Sequence, residues 1–180
     1  MPRYTAQIDA SLPRLAIDLG YSARQKSCGL AHSHSEETQS LTFGQAIETT
    51  AELIRDKGPH TLILEAVLST YHRADGNPEI RGDFEKGRGW YHGPGVTTFA
   101  AALRFLNELD RQLPRKSAPL PLVEGFLSYK PARTAHADDA RRLIEEFDTA
   151  EIFPPATGSQ AICPAIQGLP QIRRYNRPGG

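Results

Sequence analysis

Residues 61–68 read Thr61-Leu62-Ile63-Leu64-Glu65-Ala66-Val67-Leu68, a continuous apolar run with one charge, and no other segment limits the fold so tightly. Such a run lacks the alternation of a half-exposed strand and suits a central parallel strand buried on both faces. Directly before it, Gly58-Pro59 stops a helix spanning residues 45–57, in which Ala46, Ile47, Ala51, Leu53 and Ile54 recur near helical spacing. A helix delivered straight into a buried strand makes the chain α/β.

The rest of the chain extends that layout. Residues 14–18, 28–31 and 41–43 read as three short strands joined by polar loops, an antiparallel meander. Residues 96–113 return to helical periodicity through Phe99, Ala102, Leu103, Leu106 and Leu109. A rigid linker follows over residues 114–121, then a strand over 122–127 and a helix over 137–147. The expectation is a mixed five-stranded sheet, three antiparallel strands and then parallel ones, flanked by helices. Residues 71–95, with Gly76, Gly82, Gly87, Gly89, Gly93 and Gly95, form a loop long enough to imply a function. Beyond residue 153, Pro154, Pro155, Pro164, Pro170 and Pro178 break every pattern. One domain over residues 1–153 with an irregular proline-rich tail over 154–180 is expected.

Composition narrows the function. The 21 basic residues balance the 21 acidic ones, which excludes the chain-wide attraction of a strongly basic nucleic-acid-binding domain. Local basic groups at residues 81–88, 111–116 and 173–177 still offer phosphate contacts. No apolar run approaches the roughly 18 residues of a membrane span, and the N-terminal stretch lacks the apolar centre of a secretory leader, so a cytoplasmic protein is expected. Cys28 and Cys163 stand far apart without metal-ligand spacing and read as buried thiols.

Asp18, closing the strand Leu15-Ala16-Ile17-Asp18, and Glu65 break the rule that buried strands carry few charges. Burying an unpaired carboxylate costs several kcal/mol, and two at neighbouring strand ends repel unless a cation lies between them. A hard divalent ion with oxygen ligands satisfies both requirements. In His136-Ala137-Asp138-Asp139-Ala140, helical rotation puts His136 on the apolar stripe of Ala140, Leu143, Ile144 and Phe147, and Asp139 at its border. Asp138 points nearly the opposite way. Taken singly, each acid has a plainer role, Asp18 as a turn residue, Glu65 as an ion-pair partner and the aspartates as helix N-terminal charges.

Three of these segments together resemble the RuvC-like branch of the RNase H-like nuclease superfamily. Ile17-Asp18-Leu19-Gly20-Tyr21-Ser22 is similar to its first-strand signature, Leu62-Ile63-Leu64-Glu65 to its fourth strand, and His136-Ala137-Asp138-Asp139-Ala140 to its last-helix ligand pair. The resemblance implies an RNase H-like fold and hydrolysis of phosphodiester bonds in DNA or RNA by two divalent ions, Mg2+ or Mn2+. It implies Asp18 as the bridging ligand, Glu65 on one ion, Asp139 on the other, and His136 as a further ligand or proton carrier. The expected partner is a nucleic-acid substrate, with a homodimer left open.

In the glycine-rich loop, Arg88, Trp90, Tyr91 and His92 form a group suited to stacking on an unpaired base, with Trp90 alternatively a hydrophobic anchor for the loop. Two other functions stay open: an actin-like nucleotide-binding protein, which shares the Asp-x-Gly turn, and an inactive domain that binds nucleic acid or protein. The first needs a duplicated core for which 180 residues leave little room.

Overall fold

The computed structural model describes residues 4–22, 25–82, 85–87, 89–128, 134–149, 160–161 and 171–175. In chain order the elements are β1 (Tyr4–Thr5), β2 (Arg14–Asp18), β3 (Cys28–His32), β4 (Thr38–Leu41), α1 (Phe43–Lys57), β5 (Thr61–Glu65) and β6 (Ser69–Thr70). There follow α2 (Gly93–Gln112), β7 (Leu120–Ser128), α3 (His136–Thr149), β8 (Gln160–Ala161) and β9 (Gln171–Tyr175). The class is α/β, with a mixed sheet flanked by helices.

The main sheet runs β1-β7-β5-β2-β3-β4, with β9 also paired to β7. The five strands expected from the sequence are therefore too few. β2 pairs antiparallel with β3 and parallel with β5, and β5, β1 and β9 all run parallel to β7. β9 lies in the tail expected to be irregular, as does β8, which pairs with β6. Prolines elsewhere in that sequence do not prevent short segments from adding to a strand edge.

Local chemistry explains where elements start and stop. Thr42 closes a capping box with Gln45, its hydroxyl accepting from the Gln45 N–H while its own N–H donates to Gln45 Oε1. The helix therefore claims Phe43, which the sequence reading put in the third strand, and Phe43 packs edge-on against Phe105. At the other end Gly58, at φ 87°, takes a conformation that suits glycine and donates to Ile54 O. β5 ends at Glu65, earlier than the apolar run, because the chain turns there with Ala66 N–H donating to Leu64 O.

Strand alternation sorts the sheet into two apolar faces. Leu15, Ile17, Leu62, Leu64 and Leu122 pack with α1 and α2 around Phe105 and Leu109. Ala16, Ala31, Ile63 and Val123 pack against Ala140, Leu143, Ile144 and Phe147 of α3. Two residues beyond Ala16 and Ile63 come Asp18 and Glu65, which alternation sends to the α3 side. Glu124, level with Leu64, goes to the other side.

At the opposite end of the sheet His32 and His60 meet, Nε2 to Nε2, at 2.9 Å, both buried. His34 N–H donates to His32 Nδ1, so the His32 proton sits on Nε2 and points at His60, whose Nδ1 faces Gly58 O at 2.8 Å. Both imidazoles are neutral in this arrangement. Burial, with the nearby His60 and Lys57, pulls the His32 pKa down to about 4, and burial lowers that of His60.

Candidate metal centre

Asp18 and Glu65 are register partners at the carboxyl ends of two parallel strands, β2 and β5. In open α/β sheets this is the edge where ligands bind. Across from them α3 brings Asp139, and carboxylate oxygens of Asp18, Glu65 and Asp139 all lie within 4.8 Å of one another. Among the described residues this is the one group of three His, Cys, Asp or Glu side chains so arranged.

A glycine makes the approach of α3 possible. Gly29, the register partner of Asp18 on β3, lies so close to the start of α3 that a Cβ built there would come within 1.9 Å of the His136 carbonyl oxygen. Gly20 plays a related part in the Asp-x-Gly turn, where a Cβ would fall 1.9 Å from the Ser27 carbonyl oxygen. The turn needs Gly20 for closeness to the neighbouring chain.

Asp18 is 6% exposed and Asp139 2%, whereas Glu65 is half-buried and Asp138 is exposed. The Thr134 hydroxyl donates to the Asp139 carboxylate, 2.7 Å from either oxygen. His136 Nδ1 lies 2.7 Å from Asp18 Oδ2, with the imidazole reaching solvent. His136 thus stands outside the group of three and grips one of its members. Three carboxylates this close repel strongly where water is scarce, and the set of hard oxygen donors fits a divalent cation of the Mg2+ or Mn2+ class. Cys28, next to the site, has its thiol pushed up to about 11 by burial, which leaves it a poor nucleophile at neutral pH.

Beside Glu65 opens a cavity of about 380 Å³, walled by Val67, Trp90, Pro94, Phe126 and Leu127. Trp90 is half-buried, with Nε1 donating to Glu79 O at 3.0 Å and its ring edge-on to His72. It therefore anchors the loop and faces the cavity at once. His92 also lines the cavity and stacks obliquely on Tyr91, with centroids 4.4 Å apart. Arg88 lies outside the described residues.

A second buried cluster escaped the sequence reading. Arg81, grouped by sequence with basic residues that could meet phosphate, is 5% exposed and is held by Glu85 and Glu124. Burial works against its charge, but the carboxylates of Glu124 and Glu85 more than offset this and raise its pKa. Glu124 also accepts from Leu68 N–H and Ser69 Oγ. The signal that exposed Glu65, one charge inside an apolar strand, was present in Leu122-Val123-Glu124 as well. In comparisons with protein-family models, with curated proteins and with solved structures, the chain has no match.

Proposed function

We propose that the chain is a divalent-metal-dependent nuclease of RNase H-like fold that hydrolyses phosphodiester bonds in DNA or RNA. The observation that carries this reading is the convergence of Asp18, Glu65 and Asp139, two of them nearly buried, from two strand ends and a facing helix. Buried carboxylates need cationic or hydrogen-bonding partners, and a divalent ion is a partner that three converging oxygen donors suit. These three carboxylates would hold two Mg2+ or Mn2+ ions, which when bound activate water and stabilise the leaving oxygen.

The remaining steps belong to the chain itself. Asp18 has Glu65 as its register partner on the adjacent strand and is bonded by His136 from the helix. His136 fixes the orientation of one Asp18 oxygen, and its contact with solvent lets the ring exchange protons with bulk water. Thr134 sets the plane of the Asp139 carboxylate. Buried apolar residues Ile17 and Ile63 keep the strand ends rigid beneath the carboxylates.

The test is cleavage of single-stranded, duplex and branched DNA and RNA with Mg2+ or Mn2+. Cleavage is expected from the native chain and at least a hundred-fold less from Asp18→Asn, with circular dichroism unchanged and no loss of melting temperature in the absence of metal. Full activity in Asp18→Asn would refute the assignment.

A further inference from the structure

Resting on that reading, we infer that the cavity beside Glu65 receives one unpaired nucleobase of the strand presented to the carboxylate cluster. Its volume of about 380 Å³ falls within the roughly 300–1,000 Å³ typical of pockets for small ligands. Its walls combine an indole, a proline ring and the apolar side chains of Phe126 and Leu127. Gly87, Gly89, Gly95 and Gly125 also line it, so part of the wall is backbone, and at Gly87 a Cβ would meet no atom within 4 Å.

One wall is Glu65 itself, which the cavity shares with the metal centre. A ligand filling this space therefore has a planar apolar body at one end and a group suited to cations at the other. A nucleotide has that construction, with its base and phosphate joined through the sugar. A base stacked and paired inside a duplex cannot enter a concave pocket, so the occupant is unpaired or flipped out.

The pocket is built in advance of its ligand. Trp90 is fixed by its bond to Glu79 O and by the His72 ring. Glu85, in the cavity lining, is tied by Arg81 to Ser69 and to Glu124 of β7. A preformed stacking surface saves the ordering cost that a loose loop would impose on binding.

Trp90 is the one tryptophan of the chain, so its emission reports the cavity directly. Asp18→Asn protein is titrated with a single-stranded oligonucleotide, in deoxy and ribo forms, with adenosine monophosphate and with a blunt duplex. Saturable quenching by the single strands and the mononucleotide, with little from the duplex, is expected. In a parallel arm the native protein cleaves single strands carrying an abasic site at successive positions. One position at a fixed distance from the cut is expected to slow cleavage about five-fold or more, the value of one stacked base. Quenching without cleavage of any substrate would uphold the pocket while removing the nuclease reading. Cleavage with unaltered Trp90 emission and no sensitive abasic position, or equal quenching by the duplex, would overturn the pocket and leave the nuclease reading standing.

Discussion

Replacing Arg81 by Met keeps most of the side-chain stem and removes its charge, and the surrounding bonds determine the cost. The guanidinium donates to Glu85 Oε1 from Nε at 2.8 Å and from a terminal nitrogen at 2.6 Å, to Ser69 Oγ at 2.8 Å, and to Glu124. Hydrogen bonds to charged groups contribute about 1.5–3 kcal/mol each, so the three to carboxylates suggest about 5–9 kcal/mol. That figure overstates the net effect, because the variant no longer has to desolvate a guanidinium. Removing one partner of a buried pair costs about 3–5 kcal/mol, which is the expected loss. Glu124→Gln should cost less, since Arg81 keeps Glu85. In the double variant one stranded carboxylate has gone, so its loss should fall short of the sum of the single losses by at least about 1 kcal/mol. Urea unfolding followed by circular dichroism gives the global values, and Trp90 emission reports release of the loop separately. A loss below about 1 kcal/mol for Arg81→Met, or strict additivity, would refute the view that this cluster fastens the loop to the sheet.

Mn2+ at a hundred times its dissociation constant should stabilise the native chain by about 2.7 kcal/mol in thermal melts. Asp139→Asn should lose that stabilisation and Asp138→Asn should keep it; the reverse would place the wrong face of α3 at the site. Gly29→Ala forces apart β3 and the start of α3, so a loss of about 1–3 kcal/mol together with weaker Mn2+ binding is expected in the same melts. His32, held near 4, and His60, also lowered, stay neutral in the fold while the unfolded chain takes protons below about pH 6.5. Stability should therefore be full above that pH, fall as the pH drops toward 4 and level off below it. Urea titrations should show a shallower fall in His60→Gln, and an equal fall in both would exclude the histidine pair as its source.

Asp18 and Glu65 stood out in the sequence as lone charges in apolar strands and lie together with Asp139 in the fold, whereas Glu124, which carries the same signal, is held in a structural ion pair. The inward phase of Asp139 followed from helical rotation, and the structure has Asp139 buried and Asp138 exposed. Long periodic elements were legible for the same reason. Two-residue strands such as β1 and β6 have no period to detect, and β9 exists by virtue of an open edge on β7 that local sequence does not encode. Arg81 was misread because what buries it is Glu124, 43 residues away. The sequence placed His136 on the same helix face as Asp139, but its contact with Asp18 depends on how closely α3 meets β3, where Gly29 permits the approach and helical phase alone does not.

Two acidic clusters flank the same stretch of sheet on opposite faces, and the chain treats them differently. Glu85 and Glu124 of β7 share the Arg81 guanidinium, which ties the loop carrying Arg81 and Glu85 to the sheet, so the cluster serves as a fastening. Asp18 and Asp139 receive an imidazole and a hydroxyl, groups that orient carboxylates by hydrogen bonding. Carboxylates held in a fixed orientation by hydrogen bonds are suited to a cation site. Loss of Arg81 should therefore register first as lost stability, whereas loss of Asp18 or Asp139 should register as lost metal binding in a fold that stands or even gains stability as their mutual repulsion disappears.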